Sequence, residues 1–502
     1  MAGLLLFLFL FLTTFCNPSS AHFRSSEEGF ISAVISEKGL DFVKNLLIEQ
    51  AVRSLTPLRL PDIEETANIP LIGGVHMVAS NVTLYGIDVN SSTVQAGESG
   101  IAIVASGATV NLSMDWSYSY SISFLPIKIS DQGSASIEVE GMEVGLTMSM
   151  KNHNGTLDLS VLECGCYMRD LIINLNGGAS WFYQGFVNAF GNHIRSAVEN
   201  AITDKISEGT AKLDYLLQSL PKEIDVDNVV ALNVTFVNDP LFGSSSVEFD
   251  INGLFTLSDI VSHSIYWHKY PYLLSSVGLA SRMLWISLDE AVFNSASVAY
   301  FQAGLMHWIV DRVPDQSLLN TASWKFIIPQ LYRQYPNDDM QLNILLTSSP
   351  ILKIRAGNIG ATIFLDMTVN VLDDTETVPV ACVSVAVTVS GTVEISGNNL
   401  AGRAELDDFS LSLKWSNVGN FHMSLIQGVM HIFLNSVFMP YLNSHLLRGF
   451  PLPIIHGFTL QDAYILVSNS RIMVSSNVAF TNSISVMHDY LQNSHHEQRN
   501  VT

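Results

Sequence analysis

The cysteines are the side chains whose spacing comes closest to that of a reactive site. Cys164 and Cys166 are separated by a single glycine, and two thiolates at that spacing can begin a metal site. No second Cys/His pair stands at ligand spacing, so a metal site is not predicted. The same two cysteines are too close along the chain for an ordinary mutual disulfide. With Cys382 they make three thiols, of which at least one stays free or pairs between chains.

Adjacent aspartates are the other candidates for chemistry. The three pairs are Asp338-Asp339, Asp373-Asp374 and Asp407-Asp408, and each stands beside turn-forming residues, which predicts solvated turns rather than calcium ligands. The chain also has no Gly-x-Ser-x-Gly, His-Glu-x-x-His, Gly-x-x-x-x-Gly-Lys or Gly-x-Gly-x-x-Gly motif. We therefore expect a protein that is not an enzyme and that needs no metal and no cofactor.

The charge of the chain excludes several classes of partner. The net charge is −22 over 502 residues. Residues 22–250 hold 12 Lys+Arg against 28 Asp+Glu, a net −16, and residues 251–502 hold 12 against 18, a net −6. A chain this acidic is a poor general binder of nucleic acid or of anionic membrane surfaces. The 48% share of hydrophobic residues is enough for two large cores.

Residues 1–21 are predicted to be a secretory signal peptide. Leu4 to Leu12 is an unbroken apolar run, and Ser19-Ser20-Ala21 behind it suits signal peptidase. Cys16 would leave with this segment, and the mature protein would be secreted and extracellular. The Asn-x-Ser/Thr sequons predicted to carry glycans are Asn81, Asn90, Asn111, Asn154 and Asn233.

Two short helices open what reads as two copies of one unit. In each copy an apolar run leads to an N-cap residue, Ser36 in the first and Ser287 or Asp289 in the second. Apolar residues then recur at helical spacing. They are Leu40, Val43, Leu47 and Ala51 in the first copy, and Val292, Ala296, Ala299 and Ala303 in the second.

Each copy continues through alternating, strand-like sequence to a longer helix. The first long helix is predicted over Trp181–Leu217, with Phe186, Phe190 and Ile194 on its apolar stripe. The second carries Ile426, Met430, Phe433, Val437 and Tyr441, and no Lys, Arg, Asp or Glu lies between Lys414 and Arg448. Hydropathy alone would make this segment transmembrane. Its polar interruptions and its place in the repeat favour a buried core helix.

The strand-like sequence has a period of two. Leu112, Met114, Trp116 and Tyr118 alternate with polar residues, which predicts long antiparallel strands with one wet face. The alternation slips by one residue at Gly141, which predicts a β-bulge.

These elements resemble the bactericidal/permeability-increasing protein and lipopolysaccharide-binding protein (BPI/LBP) family, and its plant members in particular. The resemblance covers nearly all of the mature chain, and its motifs keep their order. The matching stretches are Ile35–Asp41, Leu60–Asp62, Cys164–Cys166, Trp181 with its helix, Phe293–Gly304, Ser416–Gly419 and Gly449–Pro453.

The resemblance implies an α+β fold, a boomerang of two pseudo-symmetric barrels. Each barrel would be a twisted antiparallel sheet wrapped round a long helix, and a central sheet would join them. A plant protein of this kind would be secreted to the apoplast. The implied segments are a signal peptide (1–21), an N-terminal barrel (22–225), a central sheet and linker (226–285), a C-terminal barrel (286–456), return strands to the central sheet (457–485) and a polar tail (486–502).

Two departures from the family pattern concern its cysteines and its cations. The family's disulfide joins the region of Cys164-Gly-Cys166 to the first long helix, where this chain has Ser207, so the bridge would be absent or rerouted through Cys382. The family's antibacterial members carry cations at the tip of the first barrel, around the segment that here reads Asn111–Tyr120. The residues left as candidates for a lipopolysaccharide-binding tip are Arg53, Arg59 and Trp116.

The resemblance also implies an apolar lipid pocket in each half, between helix and sheet. Two buried acyl chains would gain on the order of 20 kcal/mol before ordering costs, so a bound phospholipid is expected. The alternative is that the same stripes pack as solid core. The first pocket is assigned Leu40, Val43, Leu47, Phe186, Phe190 and Ile194, and the second Val292, Ala296, Met430, Phe433 and Val437.

The function implied is a secreted lipid-binding protein that recognises bacterial lipopolysaccharide in innate immunity and antibacterial defence. Its partners would be lipopolysaccharide or phospholipid and the bacterial outer-membrane surface, with no nucleic acid; any receptor is unknown. A phospholipid carrier or transfer protein on the same fold is the alternative, and a secreted hydrolase is a third class. Because the first half is net −16, lipopolysaccharide binding should depend more on acyl-chain burial than on phosphate pairing.

Overall fold

The computed structural model describes residues 28–69, 73–121, 127–177, 180–257, 267, 281–373, 376–419, 421–455 and 457–480. The predicted signal peptide and polar tail lie outside these residues. The six helices are α1 (Glu37–Leu55), α2 (Ser180–Gln218), α3 (Glu290–Gln302), α4 (Pro329–Gln334), α5 (Met423–Phe433) and α6 (Met439–Leu446) within the described part of the chain.

Within the residues that the structure describes, the strands form four antiparallel sheets. Their bounds in the first half are β1 (Ile31–Ser36), β2 (Leu58–Arg59), β3 (Ile63–Ile69), β4 (Gly73–Asp88), β5 (Ser91–Gly97), β6 (Gly100–Ser121), β7 (Lys128–His153), β8 (Thr156–Tyr167), β9 (Asp170–Asn176), β10 (Glu223–Asp225), β11 (Val230–Asn233), β12 (Leu241–Phe242), β13 (Ser246–Ile251) and β14 (Phe255–Leu257). Those in the second half are β15 (Leu284–Asp289), β16 (His307–Val310), β17 (Asp339–Leu346), β18 (Ile351–Arg355), β19 (Asn358–Asp373), β20 (Glu376–Ser396), β21 (Asn399–Ser416), β22 (Phe450–Pro451), β23 (Phe458–Ser468) and β24 (Arg471–Phe480).

The two large sheets repeat one topology, which confirms the predicted duplication and fold class. Strands β4, β6, β7 and β8 pair in that order in the first half, as β17, β19, β20 and β21 do in the second. Each sheet adds a hairpin at the same place, β5 on β6 and β18 on β19. The first sheet has eight strands and the second has seven.

The predicted bulge near Gly141 is confirmed. Val110 pairs with Val139 but Ala108 pairs with Met142, so β7 carries an extra residue at this point. Gly141 has φ +65°, a left-handed conformation that favours glycine. The partner of β7 also changes here from β9 to β8, whereas the second sheet has the single strand β21 in their place.

A central sheet takes strands from both halves, in the order β12-β13-β1-β15-β24-β23. The predicted range for the first barrel, 22–225, is wrong at its start, because β1 lies between β13 and β15 in this central sheet. The predicted range for the second barrel, 286–456, is wrong at its start for the same reason, because it includes most of β15, which is a strand of the central sheet. Both errors arise because the apolar run before each short helix is a strand of the joining sheet.

The first long helix confirms its predicted bounds within one residue at each end. Phe186, Phe190, Ile194 and Val198 are fully buried against the first sheet. The helix contacts β3 on one side and β8 and β9 on the other, so the sheet wraps around it.

The second long helix is continuous but irregular. A π-helical segment, Leu434–Phe438, joins α5 to α6, and the Met439 N–H donates to the Leu434 carbonyl five residues earlier. Pro440 has no N–H and would crowd a regular helix, which accounts for the wider turn before it. By length and composition alone Met423–Leu446 could span a membrane. In this fold one face of it, including Met430 and Phe433, packs on the second sheet.

Candidate lipid-binding site

The residues predicted for the first pocket do not meet at one place. Phe186, Phe190 and Ile194 are 0% exposed in the main core under the first sheet. Leu40 instead packs in a cluster that reaches the central sheet, and Leu47 packs against a neighbouring cluster that shares several of its residues. At about 1.5 Å per residue, the part of α2 that borders these clusters lies about 35 Å from Phe190. The three α2 residues are therefore solid core, the alternative stated above.

A different set of side chains forms an apolar seam between α1, the end of α2 and the ends of β5 to β8. Leu40, Ile103, Met148 and Leu159 are 5–9% exposed and the other members are half-buried, whereas most residues of the main core are 0–3% exposed. Apolar surface here is incompletely sequestered, which suits a site that exchanges lipid. We call this set the first seam, and its members are Leu40, Leu47, Val94, Ile101, Ile103, Met148, Leu159, Leu213 and Leu217.

Local contacts fix α1 at the start of the first seam. Ser36 caps the helix by accepting the Gly39 N–H at 3.3 Å, and its hydroxyl donates to the Arg282 carbonyl at 2.6 Å. A Cβ on Gly39 would lie 2.4 Å from the Met283 carbonyl oxygen, so only glycine allows this approach. Val43 points away and is 38% exposed, which corrects its assignment to the pocket.

The second predicted set divides in the same way. Val292 and Ala296 pack in a cluster next to the central sheet, whereas Met430, Phe433 and Val437 pack under the second sheet. The second-half counterpart of the first seam lies along α3. We call it the second seam, and its members are Val292, Ala296, Tyr300, Ile354, Ile359, Val393, Leu400 and Phe450.

Side-chain hydrogen bonds hold the two short helices unequally. Asn294 of α3 accepts the Leu352 N–H at 2.8 Å and donates to the Leu352 carbonyl at 3.2 Å. Glu290 accepts the Ile354 N–H at 2.7 Å, so α3 is pinned to β18 at several points. Among the described residues, α1 is joined to β5 by one such bond, from Lys44 to Ser92. Side-chain hydrogen bonds to the neighbouring hairpin strand are therefore fewer at the first seam than at the second.

The prediction that Trp116 belongs to a lipopolysaccharide-binding tip is wrong. It is 1% exposed, stacks on Tyr118 with ring centroids 6.2 Å apart, and donates to the Ser134 carbonyl at 3.0 Å. A Cβ on Gly133 would lie 2.5 Å from its ring, so the strand opposite is shaped to hold it. Trp116 is a core residue and cannot reach a ligand.

The two arginines of the predicted tip are already engaged by neighbours. Arg53 pairs with Glu49 on the surface of α1. Arg59 donates to the side chain of Asn81, whose own amide donates to Asp115 at 2.8 Å. Neither arrangement gathers cations at one place, so no strong phosphate-binding patch results from them.

The three cysteines of the described chain are free thiols, so rerouting through Cys382 does not occur. Burial raises the pKa of Cys166 to about 12, with smaller contributions from Glu199 and Cys164. Burial also raises the pKa values of the Cys164 and Cys382 thiols. All three stay protonated at neutral pH and are poor nucleophiles and metal ligands. No group of three potential metal ligands lies together among the described residues.

Ser207→Cys is expected to restore a disulfide between α2 and β8. The Leu159 N–H donates to Asp214 at 2.7 Å and the Met168 N–H to Glu199 at 3.2 Å, which puts Cys164 near the level of Ser207. We expect the oxidised variant to gain about 2–4 kcal/mol in unfolding free energy. Non-reducing peptide mapping and denaturant titration measure this, with Ser207→Ala as the control. Failure to cross-link under oxidising conditions would show that the helix and strand are not aligned in this way.

A surface cleft of about 490 Å³ lies elsewhere, between β21 and the second long helix. Its walls carry Asp407, Asp408, His431 and Asn435. The aspartate pair is thus not in a turn as predicted, because Asp407 occupies a bulge within β21. Leu406, Phe409 and Ile432 also line this cleft, but it is open to solvent and carries two carboxylates, which do not suit a buried acyl chain. The seams are therefore the stronger candidates for a lipid site.

The predicted glycan acceptors differ in access. Asn81, Asn90 and Asn154 are exposed, and Asn154 sits in the turn between β7 and β8 with φ +53°. Asn111 and Asn233 are half-buried. The three exposed sites are the better acceptors, and their use stays a prediction.

Comparisons with known proteins agree with this architecture. Residues 39–220 match the model of the LBP / BPI / CETP family, N-terminal domain, and residues 224–480 match its C-terminal domain. A protein of Arabidopsis thaliana named for the BPI/LBP family is 52% identical over 477 residues, which are 95% of this chain and 97% of the relative. The lipopolysaccharide-binding protein of Bos taurus is 24% identical and covers 89% of this chain and 92% of its own. A crystal structure of lipopolysaccharide binding protein superposes with a TM-score of 0.62 at 21% identity, over 91% of this chain and 100% of that one, which shows the shared fold.

Sequence reasoning missed most of the seam residues. Val94, Ile101, Met148 and Leu159 come from the ends of four strands that are far apart along the chain. The apolar stripe of α2 could have predicted Leu213 as a buried residue, because its helical spacing continues past Ile206 to Leu213.

Proposed function

The chain belongs to the LBP/BPI/CETP family, and on this premise we propose that it is a secreted lipid-binding protein that recognises bacterial lipopolysaccharide in innate immunity. The observation that carries the proposal is the first seam, whose apolar side chains are incompletely sequestered beside a helix that one side-chain hydrogen bond joins to β5. The family consists of lipid-binding proteins rather than enzymes. The relatives named lipopolysaccharide-binding protein support the choice of ligand.

The seam would take the acyl chains of the lipid, while its head group would stay at the water edge. Burying each methylene contributes about 0.8 kcal/mol, so chain burial dominates over surface ion pairs worth about 0–1 kcal/mol each. Binding of lipopolysaccharide to the pure protein, measured as displacement of a fluorescent lipid, tests the proposal. A liposome-to-liposome transfer assay tests the phospholipid carrier, and transfer without lipopolysaccharide binding would favour that function instead.

We expect lipopolysaccharide affinity to fall only weakly as salt rises. The first half of the chain is net −16, and Arg53 and Arg59 are already engaged by neighbouring side chains. Titrations between about 50 and 300 mM salt should change the Kd by less than about threefold, because burial of acyl chains is insensitive to screening. Arg59→Ala should bind like the wild type. A steep salt dependence, or loss of binding in that variant alone, would contradict acyl-chain recognition.

A further inference from the structure

Lys44 is a buried lysine, which is unusual for this residue type. It lies on the face of α1 that also carries Leu40 and Leu47 of the first seam, and only 4% of the residue is exposed. Lysines are almost never fully buried unless a partner compensates the charge. The groups that contact this amine therefore indicate its role.

The ammonium group sits at the boundary between the seam and water. Its Nζ lies 2.5 Å from Asp41 Oδ1 and donates to the Ser92 carbonyl at 3.1 Å. The Asp41 side chain is 55% exposed, so this end of the pair faces solvent. An ammonium has three N–H donors, and the described residues provide acceptors for two. The third donor has no acceptor among the described residues, and the solvent-facing Asp41 lies beside it.

The second half shows that packing does not require this charge. Counted from the first helical residue, Glu37 or Glu290, the position of Lys44 in α1 corresponds to Ser297 in α3. Ser297 donates to the Pro350 carbonyl at 2.7 Å, just before β18, the counterpart of β5. A neutral serine thus makes the equivalent helix-to-strand bond. The positive charge of Lys44 is an addition specific to the first seam.

We propose that Lys44 binds a lipid-linked phosphate, so that the first seam takes lipids whose acyl chains adjoin a phosphate group. This inference rests on the proposed lipid-binding function and names the chemistry that the seam selects. The phosphate can belong to a glycerophospholipid or to lipid A, since both place it near the chains. Because the amine is desolvated, its pairing with phosphate is screened little by salt, in keeping with the weak salt dependence expected above.

Lys44→Ser, which copies the residue of the second half, tests the proposal. Protein is incubated with vesicles holding equal amounts of dioleoyl phosphatidic acid and dioleoylglycerol, which share chains and differ in phosphate, and retained lipid is quantified by mass spectrometry. We expect the first seam of the wild type to prefer phosphatidic acid about tenfold, after subtraction of the lipid that Leu47→Asp still retains in the second seam. Lys44→Ser should lose that preference, since a hydrogen bond to a charged group is at stake. Lys44→Arg should keep the preference, and so should Lys38→Ser on the same helix.

Two outcomes would overturn the inference, and they are distinguishable. If Lys44→Ser folds like the wild type by circular dichroism and keeps both the wild-type ratio and the wild-type retention of lipid A, the role of Lys44 is wrong while lipid binding stands. If the wild type retains neither lipid, the proposed function fails and the role of Lys44 fails with it. A parallel arm with lipid A identifies the source, because a defect of Lys44→Ser for lipid A alone assigns the phosphate to that lipid.

Discussion

Leu47→Asp is expected to reduce lipid retention by the first seam at least about 100-fold. Leu47 contacts the cluster formed by Ile103, Met148 and Leu159, where an acyl chain would lie. A carboxylate on this wall would have to be desolvated without a partner, which costs several kcal/mol. Leu47 is only half-buried, so the variant should still fold. Retained lipid is counted by mass spectrometry after incubation with phospholipid vesicles.

Val43→Asp is the matched control for this experiment. It adds the same charge to the same helix, but Val43 is 38% exposed and points away from the first seam. We expect it to retain lipid like the wild type. Equal losses in the two variants would mean that the charge on α1, and not the apolar wall, determines binding.

Phe190→Ala is expected to destabilise the protein by about 3–5 kcal/mol. Phe190 is 0% exposed and stacks on Phe186 with ring centroids 4.4 Å apart, so truncation leaves a cavity in the main core of the first half. The free energy of unfolding is measured by denaturant titration. Because Phe190 is about 35 Å from the first seam along α2, the folded variant should retain lipid normally.

Val43→Ala serves as the control for stability, since an exposed side chain should contribute less than about 0.5 kcal/mol. A small effect of Phe190→Ala on stability together with a large loss of lipid would reverse our assignment. It would place the acyl chain between the long helix and the sheet, as first predicted.

Periodicity in the sequence predicted the large elements because it follows directly from burial. The stripe through Phe186, Phe190 and Ile194 located the first long helix, and the slip at Gly141 located the bulge. The alternation also placed Trp116 on the buried face with Leu112 and Met114. Assigning Trp116 to a ligand-binding tip went against that alternation, and burial decided the outcome.

The seams could not be predicted in the same way. Their walls combine strand ends that are adjacent only after the sheet folds, so no local pattern marks them. Helical geometry allows either Val43 or Lys44 to share a face with Leu40, and hydrophobicity favoured the valine. The structure buries Lys44 instead, and Asp41 and Ser92 accept two of the three N–H donors of its amine.

Lipid extraction and native mass spectrometry of gently purified protein show whether each seam holds a lipid. With one seam in each half, we expect close to two phospholipids per chain, or loading to that level from vesicles. Leu47→Asp should lower the count by one. A lipid-free wild type that cannot be loaded would mean that the seams are closed core and bind no lipid.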